Sequence, residues 1–216
     1  FLMLESLGST SRKERVPERV MYENMEKLIK EAPGRVIIGT FSSQVERIKY
    51  VIEYAESIGK KVALDGFSMK MNVETAKKLG YIKIHKETLI TVEQIQRYPD
   101  KNIIVICTGA QGEPNAVLSR IMMGTHRFIK VQKSDTILFS SSVIPGNERT
   151  IQRLKDNLYR LCDNVVHSDI MDIHSSGHST AEDIVDVVNQ IKPDYFLPVY
   201  ANHYFLKEAE KLMIRN

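Results

Sequence analysis

Two histidines, a glycine and a set of hydroxyls fall within seven residues, His174-Ser175-Ser176-Gly177-His178-Ser179-Thr180. Behind them Ile184, Val187, Val188 and Ile191 recur at helical spacing, and Thr180 and Asp183 stand where an N-cap and its N3 partner belong. In front of them Ser168–Ile173 reads as a strand. A strand-to-helix turn of this kind offers backbone N–H groups and the positive end of a helix dipole, which suit an anion such as a phosphate. Gly177 would let a ligand approach the backbone closely. A well-capped surface turn with idle histidines accounts for the same residues.

Glu5, at the end of an apolar strand, can couple with His178, the carboxylate orienting the imidazole as a proton donor. Two more loops have phosphate-compatible composition: Thr108-Gly109-Ala110-Gln111-Gly112-Glu113, and Ser140-Ser141-Ser142 running on to Asn147. The first reads better as a structural turn and the second equally as a capped loop. The first is not a Walker A loop, because no Gly-Lys-Ser/Thr follows. The absence of a Gly-x-Ser-x-Gly elbow argues against a serine hydrolase. Six histidines include no His-x-His pair and no His-Glu-x-x-His, so no complete metal site is legible. Arg120, Arg127, Lys130 and Lys133 could meet a nucleic-acid backbone but read first as a solvated face.

The elements that must position these residues alternate regularly. Phe1–Leu4 is a strand, and a helix begins at Pro17 with Met21, Met25, Leu28 and Ile29 inward. Arg35–Gly39 is a buried strand followed by the turn Thr40-Phe41-Ser42-Ser43. Ser43 and Glu46 form a capping box for a helix with Ile48, Ile52 and Ala55 inward. Further strands stand at Lys61–Leu64, Ile103–Cys107, Thr136–Phe139 and Tyr195–Val199. Further helices start from Pro114, from Asn147 (Ile151, Leu154, Leu158 and Leu161 inward) and near the C-terminus (Leu206, Ala209 and Met213 inward). Gly66–Asp100 is less regular and reads as a peripheral element. This alternation predicts an α/β fold with parallel, helix-flanked sheets, whose ligands bind beyond the carboxyl ends of the strands. Glu5, the Thr40 turn, the Thr108 and Ser140 loops, His174–His178 and Tyr200 all fall at such ends.

Composition narrows the function classes. With 216 residues and 43% apolar content the chain can bury a sizeable core. A net charge of +3 gives no strong overall attraction for polyanions, so any nucleic-acid site must be local. Cys107 and Cys162 have no metal spacing and point to a reducing, cytoplasmic setting. No signal peptide or bilayer-length apolar run is present, so no membrane partner is expected. The chain opens at Phe1 inside a strand, and a piece of a longer protein is expected.

Five stretches taken together resemble the β-CASP region of ribonuclease J-type nucleases of the metallo-β-lactamase superfamily. They are Gly39-Thr40-Phe41-Ser42-Ser43 with Arg47; Cys107-Thr108-Gly109-Ala110-Gln111-Gly112-Glu113-Pro114 with Leu118-Ser119-Arg120; Phe139 through Glu148; His174 through Thr180; and Lys192 through Val199. Gly66-Phe67-Ser68-Met69 is similar to a further family segment that usually has Arg in the second place. The resemblance implies a β-CASP domain over 1-167 and a β-α-β-α piece of the metallo-β-lactamase fold over 168-216. It implies metal-dependent RNA hydrolysis, exonucleolytic from the 5′ end or endonucleolytic, in RNA processing and decay. The metal would be two zinc ions, with manganese as the alternative, held mainly by an upstream domain, so that this piece alone is inactive. Glu5 and His178 match the family's catalytic motifs A and B. His174, Ser176 and Gly177 match the residues that hold the 5′ monophosphate of single-stranded RNA. Thr40, Ser42, Ser43, Gly109, Gln111, Ser141 and Ser142 lie in loops expected to contact RNA, and similar proteins form homodimers. Tyr200 stands at the motif C position, where the family usually has a metal-binding histidine; a phenol is a poor zinc ligand near neutral pH. That departure keeps open an alternative: a catalytically weakened member that binds RNA or a partner.

Overall fold

The computed structural model describes residues 1–11, 16–85, 87–175 and 177–215. The chain divides into two compact units, Glu18–His174 and Phe1–Pro17 with Ser175–Asn216. The units do not follow the 167/168 boundary read from the sequence, because the N-terminal strand β1 (Leu2–Glu5) pairs with a strand near the C-terminus.

The larger unit runs α1 (Glu18–Glu31), β2 (Val36–Gly39), α2 (Val45–Ser57), β3 (Lys61–Asp65), α3 (Phe67–Lys78), β4 (Leu89–Ile90), β5 (Ile103–Cys107), α4 (Val117–Met122), β6 (Thr136–Phe139), α5 (Glu148–Tyr159) and β7 (Asn164–Val166). Its strands form one parallel sheet in the order β4-β3-β5-β2-β6-β7. β2, β5 and β6 are buried at every residue, as expected of strands covered on both faces. On one face Ile37, Val105, Ile137 and Phe139 join Leu118 and Ile121 of α4 and Leu154 and Leu158 of α5 in a single core. The connection from β2 leads to β3 and that from β5 to β6, so neighbouring strands send their crossovers in opposite directions. Such a reversal opens a crevice at the carboxyl ends, and the Thr40 turn and the Thr108 loop stand there.

The amino ends of β2 and β6 are pinned by a buried ion pair that sequence periodicity does not reveal. Arg35 Nε donates to Asp135 Oδ1 at 2.9 Å and its Nη2 donates to Oδ2 at 2.7 Å. Nη2 also donates to the Lys130 carbonyl, and Asp135 Oδ2 accepts from the Gln132 N–H. The pair therefore has the auxiliary hydrogen bonds that a desolvated charge requires.

In the smaller unit β1 lies parallel to β8 (Phe196–Val199), with Glu5 opposite Val199. Helices α6 (Ala181–Ile191) and α7 (His203–Arg215) bury Ile184 and Ala209. Thr180 and Asp183 close the expected capping box: the Asp183 N–H donates to Thr180 Oγ1, and the Thr180 N–H to Asp183 Oδ2.

Several expectations need correction. Ser168–Ile173 is not a strand, so the C-terminal piece lacks its first β element. The His167 carbonyl accepts from Ile170 and Met171, and Asp169 takes the His167 Nδ1 and Lys155 Nζ contacts, which curl the segment into a turn. The strand that does form is β7, three residues long. Ser43 and Glu46 make no capping box, since α2 begins one residue later behind Gln44. α4 starts at Val117 rather than Pro114, and Leu161 lies exposed beyond the end of α5. The stretch read as irregular contains α3, whose Met69, Val73 and Ala76 are buried.

Removing Asp135 leaves the buried Arg35, among the described carboxylates, only the longer, half-exposed contact with Asp100, 3.8 Å from Nε. Asp135→Ala should lower the unfolding free energy by about 3–5 kcal/mol, read from urea denaturation at neutral pH. A loss below about 1 kcal/mol would show that the pair is not desolvated.

Candidate functional site

In the larger unit the carboxyl ends of β2 and β6 converge on one carbonyl. Gly39 and Phe139 are in register, and the next residue of each strand turns inward: Thr40 Oγ1 donates to the Ser140 carbonyl at 2.9 Å. Arg47, on the inner face of α2 and almost fully buried, donates through Nη1 to the same carbonyl at 2.8 Å. The same Nη1 lies 3.0 Å from His174 Nδ1. Ser140 Oγ donates to the Ile173 carbonyl at 2.8 Å and so fixes the segment leading to His174. A guanidinium has only donors, so toward Arg47 the Nδ1 of His174 is an acceptor. His174 Nε2 is buried and has no hydrogen-bond partner among the described residues. Burial, and then the adjacent Arg47 charge, push the His174 imidazole down to about 4. His174 is thus a neutral ring beside a buried cation, with Nε2 left unpartnered among the described residues.

In the smaller unit His178 Nδ1 lies 2.7 Å from Glu5 Oε1, the pairing expected from the sequence. β1 delivers the carboxylate and the turn before α6 delivers the imidazole, whose side chain is 52% exposed. Two further contacts hold that turn. The Ala181 N–H donates to the Ser11 carbonyl at 3.1 Å, and Ser175 Oγ donates to the Val16 carbonyl at 3.0 Å. Gly8 is required by sterics, since a Cβ there would run into the Ser179 carbonyl. At Gly177, by contrast, a Cβ would meet nothing within 4 Å, and its φ is outside the left-handed region. A side chain at 177 would therefore meet no steric obstacle among the described residues. Ser176 lies outside the described residues.

Tyr200 comes directly after β8, beside the end of β1, with φ of 55° and 75% exposure. A left-handed backbone costs a bulky L-residue about 1–2 kcal/mol, and so exposed a ring has little packing to impose it. Among the described residues no group of three or more His, Cys, Asp or Glu side chains could share a metal ion. The donor set present does not make a metal centre, and a phenol at position 200 does not add a good ligand.

The expected RNA-contacting loops are partly committed to the fold. Gln111 is buried. Its amide donates to the Ser142 carbonyl and approaches Ser141 Oγ, and its oxygen accepts from Ile144 N–H and Asn147 Nδ2. Gly109 faces Ala116 and Leu118, and Thr40 and Ser141 are buried. Ser42, Ser43 and Ser142 retain surface exposure. Two functional-looking groups lie outside the candidates read from the sequence. Arg47 figures there only within a motif, although a charge beside the apolar stripe of α2 is itself a signal. Asp65, at the carboxyl end of β3, accepts from His126 Nε2 at 2.7 Å, from Lys70 Nζ at 3.0 Å and from the Gly66 N–H. Burial raises its carboxyl, but these donors outweigh it and hold the group below its ordinary value. A cavity of about 700 Å³ opens between α3 and residues 84–94, and none of the candidate residues lines it. Among the described residues no helix is long and apolar enough to cross a membrane.

The His174 environment has a spectroscopic consequence. Proton NMR titration should give His174 a midpoint near 4. Arg47→Gln should move that midpoint upward, short of the usual value of about 6.5 because burial remains. A midpoint unchanged by the substitution would remove Arg47 as a cause.

Comparison with known proteins identifies the family. Residues 33–158 match the family model described as Ribonuclease J, beta-CASP domain, and residues 164–213 match that of a Zn-dependent metallo-hydrolase RNA specificity domain. Ribonuclease J of Thermus thermophilus is 38% identical over 84% of this chain and 31% of its own length. Ribonuclease J of Mycoplasma pneumoniae is 35% identical over 90% of this chain and 34% of its own. Ribonuclease J 1 of Streptococcus pyogenes is 35% identical over 88% and 34%. The chain spans about a third of the length of these curated relatives. A parallel, helix-flanked sheet whose carboxyl edge gathers these motifs, matched by that family over more than half of its residues, places the chain in the ribonuclease J β-CASP family.

Proposed function

We propose that the intact protein is a metal-dependent ribonuclease that hydrolyses RNA phosphodiesters from a 5′ monophosphate end and within the strand, in cytoplasmic RNA processing and decay. The observation that carries this reading is the 2.7 Å contact between Glu5 and His178. The relatives' name, Ribonuclease J, and the two matched domain descriptions support it. The larger unit is read as the β-CASP domain and the smaller as part of the metallo-hydrolase fold.

A bound metal would supply an activated water. The described residues hold no site for it, and the proposal assigns its ligands, for one or two zinc or manganese ions, to the rest of the relatives' length. Glu5 holds the Nδ1 proton of His178 and fixes the ring's orientation. Nε2 is then the nitrogen through which His178 exchanges a proton with the leaving oxygen. His174 is proposed to donate its Nε2–H to a terminal phosphate, with Arg47 supplying positive charge at its back. Ser176 and Gly177 are assigned to the same phosphate from the sequence of the turn. A second reading, an RNA- or partner-binding member without turnover, is favoured only by Tyr200 in place of a metal-binding histidine.

In the intact enzyme His178→Ala should lower kcat by about 10²-fold or more. Glu5→Gln should lower it less, and the double variant should lose less than the product of the two. Full multiplicative losses would separate the pair, and no turnover in the wild type under any divalent metal would favour the binding reading. His174→Ala or Gly177→Ala should reduce the preference for 5′-monophosphorylated over 5′-hydroxyl RNA in competition assays. A preference left intact by both would move the phosphate site elsewhere.

A further inference from the structure

The most exposed large apolar side chain among the described residues is Phe67, at 84%. It opens α3, directly after the carboxyl end of β3. The same helix turns Met69, Val73 and Ala76 into the core, so helical geometry, not lack of core space, sets Phe67 outward. Its mount is firm. Gly66 enters the helix with φ of 112°, and a Cβ there would stand 2.7 Å from Thr108 Oγ1, so the start of α3 is pressed against the β5 loop. Asn72 Nδ2 donates to the Ser42 carbonyl at 2.7 Å and ties the helix to the turn after β2. Asp65, at the end of β3, accepts from the Gly66 N–H and is itself held by Lys70 and His126.

Strand register places this ring on the same edge as the phosphate-facing group. Asp65 is level with Cys107, Cys107 with Gly39, and Gly39 with Phe139. The ends of β3 and β6 are therefore three strand spacings of about 4.8 Å apart, about 14 Å in all. Arg47 donates to the Ser140 carbonyl and lies against His174 at the β6 end. A strand whose phosphate is held there can reach Phe67 within a few nucleotides. An uncovered ring on a firmly held helix is what a base-stacking platform requires, because every base has a π-face. Lysines on α3, with Lys70 half-exposed one turn along, outnumber its single glutamate and favour a polyanion over an acidic or neutral protein surface.

We propose that Phe67 is a stacking subsite for an unpaired base of the RNA strand, a few nucleotides from the phosphate held at His174. This rests on the ribonuclease reading above. The test uses the intact protein with metal chelated so that the strand survives. Fluorescence anisotropy would measure affinity for a 5′-phosphorylated single-stranded oligonucleotide and for versions with one abasic position walked along it. Phe67→Ala should weaken binding of the unmodified strand roughly tenfold, with Phe67→Tyr close to wild type. One abasic position should weaken wild-type binding to the same degree and leave Phe67→Ala unaffected. Equal affinity of wild type and Phe67→Ala for every strand would overturn the subsite while the RNA reading stood. Failure of the wild type to bind any strand would overturn that reading and the subsite with it.

Discussion

The carbonyl of Ser140 is the point on which the candidate site of the larger unit depends. It ends β6 and accepts from Thr40 of the neighbouring strand's turn and from Arg47 of the covering helix. The hydroxyl of the same residue holds Ile173. Two stretches far apart in sequence, Thr40 to Arg47 and the segment at Ile173, are thereby fixed to one residue. The sheet makes this possible, because parallel strands in register end together and deliver their turns and loops to one edge. A buried guanidinium could not be held there by side chains alone without desolvation cost, and the Ser140 carbonyl supplies part of its hydrogen bonding.

Much of this is legible in the sequence. Strands such as Ile103–Cys107 and Thr136–Phe139 are continuous apolar runs, and a run buried on both faces has no competing pattern to obscure it. The Thr180–Asp183 capping box is readable because both partners are local in sequence. Glu5 and His178 can be named as a pair, but only their shared placement at strand ends, and not any spacing, suggests that they meet. Position 168 onward misleads because Ile170 and Ile173 look strand-like, while the decisive hydrogen bonds to His167 are turn chemistry. α3 is hidden by its mixed composition, and Arg35–Asp135 by a separation of 100 residues. Long-range polar pairs leave no periodic trace.

The two histidines of the turn show how surroundings divide labour between identical side chains. His174 is set against a buried guanidinium, and burial and that charge hold it neutral. His178 is half-exposed and set against a carboxylate, with Nδ1 2.7 Å from Glu5 Oε1. Two identical side chains four residues apart are thus given opposite electrostatic partners. Neither setting is encoded within the seven-residue turn itself. Arg47 arrives from α2 and Glu5 from β1, so the motif carries the imidazoles and the fold assigns their chemistry.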